Sequence, residues 1–202
     1  MVGSVQIRDN NLGTRQDEHI PIIKYSTNDE LYDKVISLGK SAKDVVIIWN
    51  KKEFSLNGIM CIYKGDSEGI KLECDILLDM NKVIPENSAK VFARIESEGK
   101  GTYGFVEEHI YGKFITSVFK PPVNKTEADS VIDQLRYIVR SLKATGIVHG
   151  DLHANNVFIR KGKVVVIDPF VYDYSFKETM DESSLKEWER LYNNSLSNLI
   201  RE

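Results

Sequence analysis

The sequence is poor in the features that mark several large classes of protein. It contains 2 cysteines and 5 prolines in 202 residues, which is too few for a disulfide framework or a proline-rich linker. No apolar run approaches the roughly 20 residues that span a bilayer, and the first thirty residues lack the apolar core of a signal peptide. The net charge of -3 gives no argument for nucleic acid or an anionic membrane surface. We therefore expect a soluble protein that binds neither.

The composition allows a hydrophobic core. Hydrophobic residues make up 42% of the chain, and a chain of this length can bury them in one domain or in two small lobes. Cys61 and Cys74 have no metal-ligand spacing, so we expect both to be reduced, buried thiols. No internal repeat or low-complexity segment occurs.

The most informative segment combines two short motifs, HGDLHANN at residues 149–156 and VIDPF at residues 166–170. An aspartate with an asparagine five residues later, then a short strand with a second aspartate at its end, places three oxygen-bearing side chains on adjacent loops of one hairpin. Such a set can position a hydroxyl group and hold Mg-ATP. In this chemistry Asp151 orients the attacking hydroxyl and accepts its proton, while Asn156 and Asp168 hold Mg²⁺ through hard oxygen ligands.

These motifs resemble the HRDxxxxN and DFG signatures of the protein-kinase-like superfamily, which implies ATP and Mg²⁺ as cofactors. Gly150 and His153 give the HGDLHxxN form, which is similar to aminoglycoside and choline phosphotransferases, lipopolysaccharide kinases and several bacterial effector kinases. The resemblance makes His153 a candidate phosphate contact, because the lysine that is usual at this position in related kinases helps to neutralise the γ-phosphate. The alternative is a loop histidine that bonds only the backbone. We expect His149 to support the loop rather than react.

A hairpin is predicted upstream, with strands at Val45–Trp49 and Ile59–Tyr63 and a turn at Asn57-Gly58. If this hairpin belongs to a kinase N-lobe, a glycine-rich loop lies just before Val46. Residues 39–46 fit the GxGxxGxV spacing but keep only Gly39, and Ser41 replaces the second glycine. An ordinary turn into a strand is the other interpretation of this segment.

Lys64 ends the second strand, as the lysine of the VAIK motif does. Downstream, apolar residues and one acidic residue share a helix face at steps of three and four residues; they are Ile70, Glu73, Leu77 and Met80. A carboxylate on an inward apolar face needs a partner, and the resemblance makes Lys64 that partner of Glu73. The alternative is a surface lysine and a glutamate at the edge of the helix.

Two more strands are predicted at Val91–Ile95 and Tyr103–Glu107. The segment 107–112 then resembles the kinase hinge, a glutamate with a glycine four residues later. That resemblance implies that the Glu108 carbonyl and the Ile110 amide bind the adenine edge and that Glu107 occupies the gatekeeper position. Two solvent-facing carboxylates are the alternative for the side chains.

The C-terminal part is predicted to be mainly helical. Thr126 is the expected cap of a helix that ends at Gly146, and a hairpin turning at Lys161-Gly162 carries the metal ligands. After Asp168 the chain has a polar link, Tyr172–Asp181, and one amphipathic helix. Its apolar positions are Leu185, Trp188, Tyr192, Leu196 and Leu199. We therefore expect a C-lobe without the large helical substrate region of ordinary protein kinases.

The predicted fold class is therefore α+β, a bilobal protein-kinase-like fold in a minimal version with a β-rich N-lobe and a truncated helical C-lobe. We expect an irregular N-terminal arm at residues 1–27 and a kinase domain at 28–202. The N-lobe covers about residues 28–110 and the C-lobe about 111–202.

The truncated C-lobe resembles the minimal effector kinases of type III secretion, the Hop-type and Osp-type effectors. The resemblance implies a monomeric protein kinase, secreted into the host cell cytoplasm, that phosphorylates serine or threonine rather than tyrosine. Its partner would be a host protein, either the ATP-dependent chaperone of the GHKL fold or a signalling protein. Two alternatives stay open, a small-molecule phosphotransferase of the aminoglycoside or choline kinase type and a nucleotide-binding pseudokinase.

Overall fold

A computed structural model of the protein describes residues 22–25, 43–51, 56–63, 67–97, 101–169 and 180–199. The chain divides into two compact units. The first contains residues 1–75 and 90–109, and the second contains residues 76–89 and 110–202.

The first unit is built on a five-stranded sheet with the order β1-β4-β5-β3-β2. The strands are β1 (Ile22–Tyr25), β2 (Lys43–Lys51), β3 (Leu56–Tyr63), β4 (Val91–Ser97) and β5 (Gly101–Glu108). Strand β1 runs parallel to β4, and the other neighbouring strands are antiparallel. The four strands predicted from the sequence are thus confirmed as β2 to β5.

The prediction of a turn at Asn57-Gly58 is wrong. Both residues lie inside β3, where Gly58 pairs with Ile48 of β2. Lys51 pairs with Leu56, so the connection lies between these two residues. The reason is that β3 has a partner on each side, and a turn at this dipeptide would leave backbone groups of a central strand unpaired.

Part of the N-terminal arm is regular rather than irregular. Ile22–Tyr25 forms β1 and pairs in parallel with Arg94–Ser97 of β4. Parallel pairing joins segments that are far apart in sequence, which is why the local composition did not indicate it. Residues 1–21 lie outside the described residues.

Helix α1 (Ser67–Val83) confirms the predicted helix and its inward face. All four residues of that face are buried, and Glu73 is only 4% exposed. Cys74 beside it is a free, buried thiol whose pKa is raised to about 12 by burial, as expected for a reduced structural cysteine. The Cys61 side chain lies outside the described residues.

The second unit combines a small sheet with two long helices. Strands β6 (Lys113–Phe114), β7 (Val157–Arg160) and β8 (Lys163–Val166) form an antiparallel sheet in that order. Helices α2 (Lys125–Ala144) and α3 (Met180–Leu199) pack against each other and share one core. The buried residues of α2 are Ala128, Val131, Ile132, Leu135, Ile138, Val139 and Leu142.

The two ends of α2 show one wrong and one correct prediction. The N-cap is Asn124, not Thr126, because the Asn124 side chain accepts the amide of Glu127. The helix ends at Ala144 and is closed by Gly146, as predicted, which has a φ of 72°. Its amide and that of Ile147 bond back to carbonyls in the last turn of α2, the pattern of a Schellman motif.

The β7-β8 hairpin turns at Lys161-Gly162, as predicted. Both residues have positive φ angles, 50° and 79°, which is the two-residue turn that matches strand twist. Gln134 of α2 donates to the Gly162 carbonyl at 2.9 Å and accepts the Val164 amide at 2.9 Å. Asn87 donates to the Val164 carbonyl at 2.7 Å. The edge of β8 that faces away from β7 is therefore hydrogen-bonded to the side chains of Gln134 and Asn87 at Val164.

Helix α3 confirms the predicted amphipathic helix, but it begins earlier than expected. Trp188 is buried, and Leu185 and Tyr192 pack against the core. The polar link was predicted to reach Asp181, whereas Asp181 lies in the first turn of α3. Among the described residues, no helix combines the length and apolar character needed to cross a membrane.

Candidate active site

Three sequence-predicted residues meet at the base of the β7-β8 hairpin. Asn156, which precedes β7, donates its side-chain amide to the Asp151 carboxylate at 3.0 Å and to the Asp151 carbonyl at 3.1 Å. The same nitrogen lies 3.4 Å from the carbonyl of Asp168, which follows β8. Asn156 is buried, and its contacts with Asp151 and Asp168 are partly buried. One amide group thus joins the predicted base to the predicted metal ligand.

Asp168 has a strained backbone. Its φ angle is 57°. This is the left-handed region of the backbone, which residues other than glycine, asparagine and aspartate rarely adopt. Backbone strain of this kind is found at functional sites, where the surrounding structure maintains it. Here the Ile167 amide donates to the Asn156 carbonyl at 3.0 Å, which holds the residue before the bend.

The donor set fits Mg²⁺. The Asn156 nitrogen is directed at Asp151 and Asp168, so its Oδ1 atom is left as an oxygen ligand. Mg²⁺ is usually bound by one or two carboxylates together with waters and substrate phosphates. Within the described ranges no group of three or more His, Cys, Asp or Glu residues could form a metal site by itself. Asp168 and Asn156 would supply one carboxylate and one amide oxygen, and waters and nucleotide phosphates would complete the ligand set of Mg²⁺.

His149 links the two segments that carry the predicted catalytic residues. Its Nδ1 atom accepts the Asp151 amide at 3.2 Å, and its Nε2 atom lies 3.0 Å from the Ile167 carbonyl. A neutral imidazole with its hydrogen on Nε2 satisfies both contacts. His149 is fully buried, and burial lowers its pKa to about 4. These contacts agree with a support role.

This environment predicts that the protein loses stability as the pH falls from about 6.5 to 4. In that range the unfolded chain protonates His149 and the folded chain does not, so the free energy of unfolding decreases by up to about 3 kcal/mol. The nearby Asp168 opposes the shift, and His153 adds to it. Urea unfolding between pH 7 and pH 4.5 measures the effect.

The matched variant for this measurement is His149→Gln, which removes the titrating group. We expect this variant to be less stable than the wild type at pH 7. Its free energy of unfolding should decrease less than that of the wild type between pH 7 and pH 4.5. Asp181 contributes with the opposite sign, because its raised pKa favours the folded state below its titration range. Equal pH dependence in both proteins would show that His149 is not the cause.

Asp181 is a site residue that the sequence analysis missed. Its two carboxylate oxygens accept the amides of His149 and Gly150, each at 2.8 Å. Burial raises its pKa, and the two amide bonds oppose that shift. Nearby on the same helix, Trp188 donates its indole N–H to the Leu152 carbonyl at 2.9 Å. Helix α3 therefore holds the backbone on both sides of Asp151.

A signal for Asp181 was present in the sequence. Asp181 lies four residues before Leu185 and seven before Trp188, which places it on the apolar face of α3. A carboxylate on such a face needs hydrogen-bond donors. The spacing indicates burial, but it does not identify the partners.

Gly150 lies beside Asp151, the predicted base, at the position where the HRDxxxxN signature has an arginine. Its φ angle is 78°, a conformation that glycine adopts without strain and that other residues adopt at a cost of about 1 kcal/mol. The glycine therefore lets the loop present two successive amides to Asp181.

His153 makes one of the two contacts predicted from the sequence. Its Nδ1 atom accepts the Asn155 amide at 3.1 Å, which is the backbone bond of the simpler interpretation. Its Nε2 atom lies 3.4 Å from an oxygen of Asp151, and the ring is 52% exposed. The proposed phosphate contact stays a prediction.

The predicted nucleotide residues of the first unit are only partly within the described residues. Gly39, Ser41 and Lys64 lie outside them. Val46 pairs with Met60 in the sheet, and its side chain is not described. The glycine-rich loop and the pairing of Lys64 with the buried Glu73 therefore stay predictions.

The predicted hinge, residues 107–112, lies within the described residues. Glu107 is 6% exposed, so the interpretation of two solvent-facing carboxylates is wrong for this residue. Glu108 donates its amide to the Lys90 carbonyl at 2.8 Å, and Ile110 is buried. A Cβ atom at Gly112 would lie 2.7 Å from the Ile159 carbonyl, so only glycine fits there. The adenine contacts stay predictions.

One apolar face of the small sheet was also missed. Phe114 and Phe158 pair across β6 and β7, with ring centroids 4.8 Å apart. Phe158 and Ile167 are partly buried against a small cluster that contains Val165. Ile167 immediately precedes Asp168, so this face lies beside the predicted metal ligand. The alternating pattern of these strands predicts two faces but not which of them is covered.

Comparison with known families agrees with a kinase-like fold. Residues 106–172 match the RIO domain family, whose members are ATP-binding, atypical protein kinases of the protein-kinase-like superfamily. The match covers about a third of the chain and includes α2, the segment 149–156 and the hairpin with Asp168. No curated protein matches the sequence. The fold is thus α+β and kinase-like, as predicted.

Proposed function

We propose that this chain is an ATP-dependent protein kinase that transfers the γ-phosphate to a serine or threonine hydroxyl. The observation that carries the proposal is the Asn156 amide, which joins the Asp151 carboxylate to the backbone of Asp168. A phosphotransferase needs its base and its metal ligands in one fixed arrangement. The match to a family of atypical protein kinases supports a protein acceptor.

In the proposed reaction, Asp151 orients the acceptor hydroxyl and accepts its proton. The Asp151 side chain is about one-third exposed, so an acceptor can approach it, and Asn156 holds one of its oxygens. Asn156 and Asp168 would hold Mg²⁺, which neutralises charge on the phosphate oxygens when bound. The apolar face of Phe158 and Ile167 offers a surface on which a nucleotide base could stack.

Incubation of the pure protein with γ-labelled ATP and Mg²⁺, with and without host-cell lysate, tests the function. We expect label on a protein, either the kinase itself or a lysate protein. Transfer to an aminoglycoside or another small alcohol without a protein acceptor would favour a small-molecule phosphotransferase. Binding of ATP without any transfer would favour a pseudokinase.

The proposed acceptor is a host protein, reached by secretion of the kinase into the host cell cytoplasm. This part of the proposal rests on the sequence resemblance to minimal effector kinases, and the ATP-dependent chaperone of the GHKL fold is the first candidate. Purified chaperone added to the labelled reaction is the direct test. If it is not labelled but another lysate protein is, the kinase has a different target.

The enzyme is expected to be active without phosphorylation of an activation loop. In ordinary kinases a loop phosphate pairs with the arginine beside the catalytic aspartate, and here that residue is Gly150 in a conformation unfavourable for arginine. Only residues 170–179 separate Pro169 from α3. Phosphatase-treated and mock-treated protein should phosphorylate the acceptor at the same rate. A large loss, restored by preincubation with ATP, would reveal a phosphorylation switch.

A further inference from the structure

The turn around Asp151 is closed by bonds that involve His153. The His153 amide donates to the Asp151 carbonyl at 2.9 Å, and the His153 carbonyl accepts the Asn156 amide at 3.0 Å. The ring is anchored as well, because Nδ1 accepts the Asn155 amide at 3.1 Å. The imidazole and the Asp151 carboxylate are thus carried by the same short turn.

The anchored ring lies next to the Asp151 carboxylate. Since Nδ1 accepts a hydrogen bond, the hydrogen of the neutral imidazole is on Nε2. Nε2 lies 3.4 Å from Oδ2 of Asp151, which is longer than an ideal hydrogen bond but close enough for electrostatic attraction. Asn156 donates to the same oxygen at 3.0 Å. Oδ2 is therefore held by one hydrogen bond and lies close to Nε2 of His153, and Oδ1 is left for another partner.

We propose that His153 is a positioning residue for Asp151 rather than a contact for the nucleotide phosphates. Together with Asn156 it restricts rotation of the carboxylate, so that Oδ1 faces the acceptor hydroxyl. The inference rests on the proposed function, because it assumes that Asp151 is the base. Electrostatic attraction between Nε2–H and Oδ2 keeps the ring beside the carboxylate, and turning the ring toward a phosphate oxygen would lose that attraction.

Two substitutions separate the roles of the two ring nitrogens. In His153→Asn the side-chain oxygen can replace Nδ1 as acceptor of the Asn155 amide, but nothing reaches Asp151. In His153→Gln the longer amide can place a donor near the position of Nε2. The quantities to measure are kcat, the KM of the acceptor and the Kd of Mg-ATP, the last by calorimetry without turnover.

We expect His153→Asn to lower kcat about three- to tenfold, the range for a partly exposed contact to a charged group. The Kd of Mg-ATP should stay within about twofold of the wild-type value, since that is close to the error of such comparisons. His153→Gln should keep most of the wild-type kcat. A merely structural role would not divide the two variants in this way.

A double-mutant cycle with Asp151→Asn completes the test. If His153 acts through the carboxylate, His153→Asn should cause no further loss of single-turnover rate in the Asp151→Asn background. A full additional loss, or a several-fold rise in the Kd of Mg-ATP, would show that His153 contacts the nucleotide. An unchanged kcat in folded His153→Asn would also overturn the proposal.

If His153→Asn does not fold, His153→Gln decides alone, because loss of kcat in that folded variant contradicts the proposal. A failure of the proposed function would give a different result. The phosphotransfer rate of Asp151→Asn would then equal that of the wild type, whatever the effect of changing His153.

Discussion

Asp168→Asn is expected to reduce phosphotransfer by at least about a hundredfold, because the proposed metal ligand would stabilise charge that develops in the transferring complex. Asparagine keeps the size of the side chain and tolerates the left-handed φ of 57° at this position. The variant therefore removes one carboxylate charge with little change in the backbone. Initial rates at increasing Mg²⁺ measure the loss, and urea unfolding confirms that the fold is kept.

Asp168→Ala should be equally inactive but also less stable, by about 1 kcal/mol, because alanine is strained at this φ. A suitable control is Asp133→Asn. Asp133 is 73% exposed on α2 and pairs with Arg136, so its loss should not change turnover. Near wild-type activity of Asp168→Asn with Mg²⁺ present would show that the metal assignment is wrong.

Asp181→Ala should destabilise the protein by about 2–5 kcal/mol, a large part of the stability of an average domain. The substitution leaves the buried amides of His149 and Gly150 without their acceptor. Since these two residues precede Asp151, we also expect kcat of the folded fraction to decrease about tenfold or more, as misplaced catalytic groups do. Urea unfolding and steady-state kinetics give the two quantities.

The neighbouring Glu182 supplies a matched control. Its carboxylate pairs with Lys143 at the surface, and this pairing lowers its pKa. Glu182→Ala changes the same turn of α3 without touching the catalytic loop, so stability and kcat should stay close to wild type. If Asp181→Ala unfolds at the same urea concentration as Glu182→Ala, the two amide bonds do not contribute to stability.

The sequence by itself was sufficient wherever neighbouring residues decide the structure. The inward face of α1, the glycine stop of α2 and the turn at Lys161-Gly162 depend on periodicity and on residues that accept positive φ. The grouping of Asp151, Asn156 and Asp168 was predictable for a related reason. These residues lie close together in the sequence around one short hairpin, so few other arrangements of the three side chains are possible.

Tertiary structure decided the features that depend on distant partners. Asn57-Gly58 is a turn signal by itself, but pairing with strands on both sides places it inside β3. Strand β1 requires β4, some seventy residues later. The cap of α2 was decided by the Asn124 side chain, which satisfies a helix amide two residues earlier than the expected cap.

The support of the catalytic loop shows the same division. The motif at residues 149–156 predicts the loop and its chemistry from local spacing. Its acceptor, Asp181, comes from a helix about thirty residues further along the chain. Buried amides must find an acceptor, and the sequence indicates only that Asp181 is on an apolar face. Which amides it binds is determined by the packing of α3 against α2, because that contact brings the first turn of α3 to the loop.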